Sequence, residues 1–124
     1  MLAYTVIGTN EKEKALAFYD AVLAEAGGAR AFANERLQFY SNGAGAMLAV
    51  GDPWDQKAAT CGNGVMPAIG CKDKETVDRV YAKARELGAP CEGEPGERVP
   101  GMFYGGYFRD PDGNKICAAH IMTG

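Results

Sequence analysis

The second half of the chain repeats residues of the first half in the same order. The repeat is seen when the chain of 124 residues is shifted by half its length, 62 positions. The shift superposes Ile7-Gly8 on Ile69-Gly70, Glu11 on Asp73, Lys12-Glu13 on Lys74-Glu75 and Tyr19 on Tyr81, and it brings Gly27 within one position of the counterpart of Gly88. An internal repeat constrains the architecture more than any single motif does. The sequence therefore predicts two copies of one structural unit.

The first copy reads as a strand, a helix and three further strands. Residues 3–8 are rich in β-forming side chains, Thr9-Asn10 offers a helix N-cap, and Gly27-Gly28 is typical of a helix C-cap. Between these signals, apolar residues recur every three or four positions, as they do on the buried face of a helix. Three strand-like runs follow at 30–33, 36–40 and 46–50.

The second copy has the same order of elements. After its helix come strand-like runs at 90–92, 102–109 and 115–122, and Asp110-Pro111-Asp112-Gly113 is predicted to be a structural turn between the last two. The glycine- and proline-rich run 93–101 is interpreted as a flexible loop at the mouth of a cleft.

Neither copy is large enough to be stable alone, because a unit of about 60 residues has a marginal core. We therefore expect one α+β domain, residues 1–124, in which both units pack together. Its parts are a first βαβββ unit (1–51), a connection (52–63) and a second βαβββ unit (64–124). The two units are expected to share a concave sheet, and the cleft inside it is the natural place for a ligand.

Composition excludes several classes of protein. Apolar residues make up 47% of the chain, charged residues 23%, and the formal net charge is -3, so neither disorder nor a nucleic-acid surface is indicated. The first residues lack the pattern of an export signal, and no apolar run approaches the roughly 18 residues of a bilayer span. We expect a cytoplasmic protein with no nucleic-acid partner and no membrane partner.

The four cysteines lie ten or more positions apart, with no Cys-x-x-Cys pair and a single histidine in the chain. Zinc sites in proteins need closely spaced cysteine and histidine pairs, so no zinc site is predicted. In a chain without an export signal, the expected state of these cysteines is the buried, reduced thiol. They are Cys61, Cys71, Cys91 and Cys117.

Three segments resemble a known family, the vicinal oxygen chelate superfamily. They are Ala15-Leu16-Ala17-Phe18-Tyr19, Gly62-Asn63-Gly64 and Tyr107-Phe108-Arg109-Asp110-Pro111-Asp112-Gly113-Asn114-Lys115-Ile116. This superfamily includes glyoxalase I, extradiol dioxygenases, fosfomycin-resistance proteins and bleomycin-binding proteins. The resemblance implies two tandem βαβββ units that form a curved eight-stranded split barrel with a central cleft. It also implies a homodimer.

In the enzymes of that superfamily, the cleft holds a divalent metal through side chains on the first and the last strand of each half. Counted onto this sequence, those positions fall on Tyr4, Met66, Cys117 and, within one residue, Leu48. The family uses His, Glu and Gln there, whereas Met is a weak soft donor and Leu is not a donor. We therefore expect that the metal site is lost and that no cofactor binds.

The function expected from these observations is the binding of a small aromatic or apolar molecule in the cleft, without the usual metal. The candidate ligand-binding residues are Tyr4, Leu48, Met66, Tyr104, Tyr107 and Cys117. The aromatic residues among them come from strands in which alternation turns one side chain in two into the cleft.

Two alternatives remain open. The first is a glyoxalase I-like lyase or a dioxygenase-like metalloenzyme, in which Cys117, Tyr4 or His120 moves protons. Because His120 follows Cys117 by three residues on one strand, alternation predicts that they face opposite sides. The second alternative is a drug-sequestering resistance protein with an acidic, aromatic cleft.

Overall fold

The structure, a computed structural model, describes residues 1–122. The elements of the first unit are β1 (Tyr4–Gly8), α1 (Lys12–Ala24), β2 (Ala29–Ala33), β3 (Leu37–Ser41) and β4 (Met47–Gly51). Those of the second unit are β5 (Ala68–Gly70), α2 (Lys74–Glu86), β6 (Cys91–Val99), β7 (Phe103–Arg109) and β8 (Lys115–Ile121). The predicted duplication is confirmed, and the two helices begin and end 62 positions apart.

The strands form two four-stranded sheets, in the orders β1-β4-β3-β2 and β5-β8-β7-β6. In each sheet the first strand of the unit runs parallel to the last, and the other neighbours are antiparallel. The α+β class with two βαβββ units is therefore confirmed. The sheets are curved and do not close into one barrel, as expected of a split barrel.

Both helices form where the apolar spacing predicts them. Asp73 caps α2, because its carboxylate accepts the backbone N–H of Thr76 at 2.8 Å. The N-cap predicted at Thr9-Asn10 is wrong, because Glu11 directly precedes α1 and makes no side-chain capping bond. The hydroxyl of Thr9 instead accepts the N–H of Glu11 itself at 3.0 Å. After α1 the chain turns through Gly27 with φ +75°, a conformation that favours glycine.

One hydrophobic core lies between the two units. Residues from both helices and both sheets contribute to it, among them Ile7, Phe18, Tyr19, Val22, Val50, Val77, Val80, Phe108, Ile116 and Ala118. Since α1 and α2 pack against each other, each unit covers apolar surface that the other would expose alone. The expectation that the units depend on each other thus has a direct structural basis.

The run 93–101 was expected to be a loop, and this is wrong for most of its length. β6 continues to Val99 and pairs with β7, with Gly96 opposite Gly105 and Val99 opposite Phe103. The register shifts several times along this pair, as it does at β-bulges. Glycine and proline indicated a loop because they weaken a regular strand, but they also fit a bulged edge strand.

The turn after β7 ties the two units together. Asp110 is buried, and its Oδ2 accepts from the hydroxyl of Tyr19 at 2.6 Å and from Nδ2 of Asn114 at 2.9 Å. Its Oδ1 accepts from the backbone N–H groups of Asp112 (3.0 Å) and Asn114 (2.8 Å). Nδ2 of Asn114 also donates to the carbonyl of Gly8 at 3.2 Å. The predicted structural turn is confirmed, and it binds groups of both units.

Each sheet has a helix face, which packs on the core, and an open face on its other side. In the second sheet Phe108 belongs to the core, so alternation puts its neighbour Tyr107 and the paired Cys117 on the open face. In the first sheet Val50 belongs to the core, whereas Phe39 lies in a separate apolar cluster on the open face. No helix within residues 1–122 combines the length and the apolarity that a membrane crossing requires.

Candidate functional site

A cleft of about 580 Å³ lies between the two units. The first unit contributes β1, β4 and the turn between β3 and β4, and the second contributes residues 65–70 and the start of β8. The apolar side chains on its walls include Leu23, Met47, Leu48, Met66, Ile69 and Ile116. Since both units supply walls, the cleft exists only when they are packed together.

Few polar side chains face this cleft, and the most buried of them, Tyr40, already makes a hydrogen bond within the protein. The hydroxyl of Tyr40 donates to Oδ1 of Asp20 at 2.7 Å. Burial, together with this carboxylate, raises the pKa of Tyr40, so its phenol stays neutral. Thr5, Ser41 and Asn42 supply the remaining side-chain polar atoms on the walls. The cleft suits an apolar molecule with one or two polar atoms.

The open face of the first sheet is aromatic. The ring of Phe39 lies at the centre of it, stacked on Phe32 with centroids 4.5 Å apart and in edge contact with Tyr4 at 5.1 Å. Phe32 and Tyr4 are both exposed. The candidate ligand residue Tyr4 therefore lies on this face and does not line the cleft.

The open face of the second sheet carries Tyr107 opposite Cys117. Burial raises the pKa of the Cys117 thiol to about 11, although Arg98, Tyr107 and Lys115 act in the opposite direction. A thiol with this pKa is protonated at neutral pH, and the thiolate is the nucleophilic form. Cys117 is thus a weak nucleophile as the chain stands.

His120 and Tyr104 lie on the helix face of the second sheet. The hydroxyl of Tyr104 donates to Oδ1 of Asp78 on α2 at 2.7 Å, and Nδ1 of His120 lies 3.0 Å from the carbonyl oxygen of Cys71. That contact requires the proton on Nδ1. Since Cys117 lies on the open face, the predicted separation of His120 from Cys117 is confirmed, and a proton relay between these two side chains is not formed.

The predicted ligand residues are therefore distributed over several surfaces. Leu48 and Met66 line the cleft, Tyr4 lies on the first open face, Tyr107 and Cys117 lie on the second open face, and Tyr104 lies on a helix face.

The strand register corrects one of the four positions that correspond to the family's metal ligands. Ala68 pairs with Cys117 in the second unit, and Val6, its counterpart 62 positions earlier, pairs with Ala49 in the first. Ala49, next to Leu48, is thus the counterpart of Cys117.

The family's metal does not fit these residues. The four corresponding positions hold a phenol, a thioether, a protonated thiol and a methyl group, at Tyr4, Met66, Cys117 and Ala49. Hard and borderline divalent metals prefer carboxylates and imidazoles. Within residues 1–122, no three side chains of His, Cys, Asp or Glu are grouped so that they could hold a metal ion.

Several walls of the cleft were not among the sequence candidates. Leu23, Ile69 and Ile116 follow the apolar spacing of a helix and two strands, which predicts burial and nothing more specific. The cleft arises where these elements leave a gap between the units. No local pattern in the sequence carries that signal.

The chain matches one protein family and several solved structures. The profile of the Glyoxalase/Bleomycin resistance protein/Dioxygenase superfamily matches residues 1–118. No curated protein matches the chain. Among solved structures, a glyoxalase/bleomycin resistance protein from Albidiferax ferrireducens T118 is similar, with 36% sequence identity and a TM-score of 0.87, over 97% of this chain and 98% of that one.

Two more distant structures share the fold. A glyoxalase/bleomycin resistance protein/dioxygenase family enzyme from Burkholderia phytofirmans PsJN is 19% identical, with a TM-score of 0.74, over 96% of this chain and 97% of that one. A lactoylglutathione lyase from Agrobacterium tumefaciens is 24% identical, with a TM-score of 0.67, over 97% and 92% of the two chains.

Proposed function

This chain belongs to the glyoxalase/bleomycin resistance protein/dioxygenase superfamily, and on that premise we propose that it binds a small apolar or aromatic molecule without a metal. The binding place in this proposal is the cleft between the units. The observation that supports it is a cleft of about 580 Å³ whose apolar walls come from both units. A volume of this size lies within the range of roughly 300–1,000 Å³ that small-molecule sites occupy.

Apolar burial supplies the binding free energy in this proposal. A ligand that covers Leu48, Met66 and Ile116 removes apolar surface from water on both partners, at about 25 cal/mol per Å². The polar atoms of Thr5 and Asn42 at the walls would orient it. Since both units contact the ligand, binding is also expected to stabilise their packing.

The proposal predicts that Met66→Glu weakens the binding of a neutral apolar probe at least about tenfold, which corresponds to about 1.4 kcal/mol. Met66 lines the cleft and is 39% exposed, so a charged side chain there faces the ligand but does not enter the core. N-phenyl-1-naphthylamine is a suitable neutral probe, since its fluorescence rises in apolar surroundings. Titration of wild type and variant, with circular dichroism to check folding, measures the effect.

Met102→Glu is the matched control, because it makes the same chemical change at an exposed residue before β7 and away from the cleft. We expect its affinity to stay within about twofold of wild type. If wild type fails to bind the probe, or if both variants bind it alike, the cleft is not the binding place.

Metal-free binding is the second half of the proposal, and it separates the protein from metalloenzymes of the same fold. Elemental mass spectrometry of the purified protein, before and after incubation with Mn, Fe, Ni and Zn salts and desalting, is expected to find far less than one metal per chain. The side chains at the four corresponding positions, which include neither a carboxylate nor an imidazole, account for this expectation. About one tightly held metal per chain would instead support a glyoxalase I-like lyase or a dioxygenase.

A homodimer and a cytoplasmic location complete the proposal.

A drug-sequestering role is the weaker candidate, because it requires an acidic, aromatic cleft, whereas the cleft between the units has mainly aliphatic walls. The cleft walls are apolar, and cations lie on the open face of the second sheet beside Tyr107.

A further inference from the structure

One wall of the cleft is the unpaired edge of a strand. Within residues 1–122, β5 pairs with β8 alone, so the other side of β5 is an edge of its sheet. All three residues of β5 line the cleft, and Ala68 and Gly70 are exposed. A strand edge presents a row of backbone N–H and C=O groups to whatever lies beside it. This side of the strand is called the free edge of β5 below.

The hydrogen bonds to β8 show which backbone groups lie on the free edge. The carbonyl of Pro67 accepts an N–H of β8 at 3.0 Å, and the N–H of Cys71 donates to a carbonyl of β8 at 2.8 Å. Successive residues of a strand direct their N–H and C=O groups to opposite sides. The groups of Ile69 therefore face β8 as well, whereas those of Ala68 and Gly70 belong to the free edge.

The free edge of β5 faces the first unit across the cleft. The Nδ2 atom of Asn42, in the turn between β3 and β4, donates to the carbonyl of Gly70 at 3.5 Å. Asn42 also lines the cleft, so an amide group of the other unit already approaches this edge from the cleft side. Within the part of the chain that the structure describes, the N–H and C=O of Ala68 are left for a ligand.

We propose that the molecule bound in the cleft carries an amide N–H and a carbonyl spaced as in one amino-acid residue, and that it lies along the free edge of β5 as a further strand. This ligand class rests on the proposed function of the cleft, because the edge is part of the cleft wall. The ligand N–H donates to the carbonyl of Ala68, and the ligand carbonyl accepts the N–H of Ala68, as in a hydrogen-bonded pair of antiparallel strands.

The apolar walls and the free edge of β5 act on different parts of this ligand. An entirely apolar ligand would cover the N–H and C=O of Ala68 without bonding them, and unpaired polar groups away from water are unfavourable. A ligand with the matching pair of groups avoids that penalty, while its apolar substituents cover Leu48 and Met66. The volume of about 580 Å³ suits a small molecule of this class.

Calorimetric titration with N-acetyl-L-leucine methylamide tests the pairing, because the leucine unit offers one N–H and one carbonyl between apolar groups. The comparison compound has an ester oxygen in place of the leucine N–H and is otherwise the same molecule. We expect the amide to bind about fivefold or more tightly than the ester, since the ester cannot donate to the carbonyl of Ala68. Equal affinity of the two compounds would overturn the inference.

Ala68→Pro removes the complementary donor from the protein. Proline is tolerated at a strand edge where the N–H is not bonded to a neighbouring strand, so the pairing with β8 is retained. We expect the variant to bind the leucine derivative about fivefold or more weakly than wild type. Ala68→Val is the matched control, because it adds carbon atoms at an exposed residue and keeps the N–H, and its affinity should stay within about twofold. Equal weakening in both variants would show that bulk, and not the N–H, matters.

The neutral probe N-phenyl-1-naphthylamine separates this inference from the proposed function. The probe has no carbonyl, so Ala68→Pro should bind it within about twofold of wild type, and circular dichroism verifies that each variant is folded. If wild type binds this probe but not the leucine derivative, the apolar cleft stands and the amide pairing is refuted. If it binds the leucine derivative alone, the pairing stands and the proposed apolar binding fails. Binding of neither compound refutes both.

Discussion

Replacement of Asp110 with alanine is expected to lower the free energy of unfolding by about 4 kcal/mol, a large share of the roughly 5–15 kcal/mol that holds a domain folded. Two causes add up. The hydroxyl of Tyr19, which is fully buried, loses its acceptor, and an unsatisfied buried group costs about 1–3 kcal/mol. The turn also loses the acceptor for the N–H groups of Asp112 and Asn114.

Urea unfolding followed by circular dichroism measures this loss, with Asp112→Ala as the matched control in the same turn. The Asp112 side chain accepts only the exposed backbone N–H of Asn10, at 2.9 Å, so its removal should cost less than about 1 kcal/mol. If both variants lose the same stability, the buried bond between Tyr19 and Asp110 does not explain the effect.

A double-mutant cycle with Tyr19→Phe isolates the contact between the units. Burial, followed by the neighbouring carboxylate of Asp110, raises the pKa of Tyr19 well above its ordinary value, so the phenol is a neutral donor to Asp110. In the Asp110→Ala background, Tyr19→Phe should be less costly than in wild type, because it then removes a hydroxyl without a partner. Equal costs in both backgrounds would show that the hydroxyl and the carboxylate are not coupled.

Gly51→Ala is expected to lower the free energy of unfolding by about 3 kcal/mol, for a steric reason. A Cβ atom at Gly51 would lie 1.9 Å from the carbonyl oxygen and 2.9 Å from the carbonyl carbon of Arg36. These are backbone atoms, so relief requires movement of the chain at the start of β3 and not a change of rotamer. The same region holds the bonds from Thr9 N–H to the Gly51 carbonyl and from Asp52 N–H to the Arg36 carbonyl.

Gly70→Ala is the matched control for Gly51→Ala. Gly70 also ends a strand, but a Cβ atom there would have no neighbour within 4 Å. We expect its free energy of unfolding to stay within about 1 kcal/mol of wild type, as for most substitutions without a steric conflict. Thermal unfolding of the three proteins measures both effects, and equal loss at both glycines would exclude the steric explanation.

Much of the fold could be predicted because the relevant signals are local. The matching residues Lys12-Glu13 and Lys74-Glu75 mark the first turns of two helices with identical length and spacing. Asp110 and Gly113 are residues that a tight turn requires, and Gly113 has φ +90°. The extent of β6 could not be predicted in this way, because its glycines and proline fit a bulged strand only when β7 lies beside it.

The candidate site was harder to predict, because a ligand surface depends on which way each side chain points. A shift of one residue in a strand moves a side chain to the other face, and the counterpart of Cys117 is accordingly Ala49 and not Leu48. Tyr104 and Tyr107 are three residues apart, so strand alternation places them on opposite faces of β7. Alternation does not say which of the two faces the helix, and only the packing of α2 decided that.

The sequence by itself determined the duplication, the order of strands and helices, and the residue types at three of the four positions where the family holds its metal, whereas the strand register identified the fourth as Ala49. Only the tertiary structure decided that Leu48 and Met66 share a cleft, that the free edge of β5 lies in its wall, and that Asp110 bonds Tyr19. Local patterns determine which face of an element is apolar. The distance between residues of different elements is set by how those elements pack, and packing depends on every contact in the core at once.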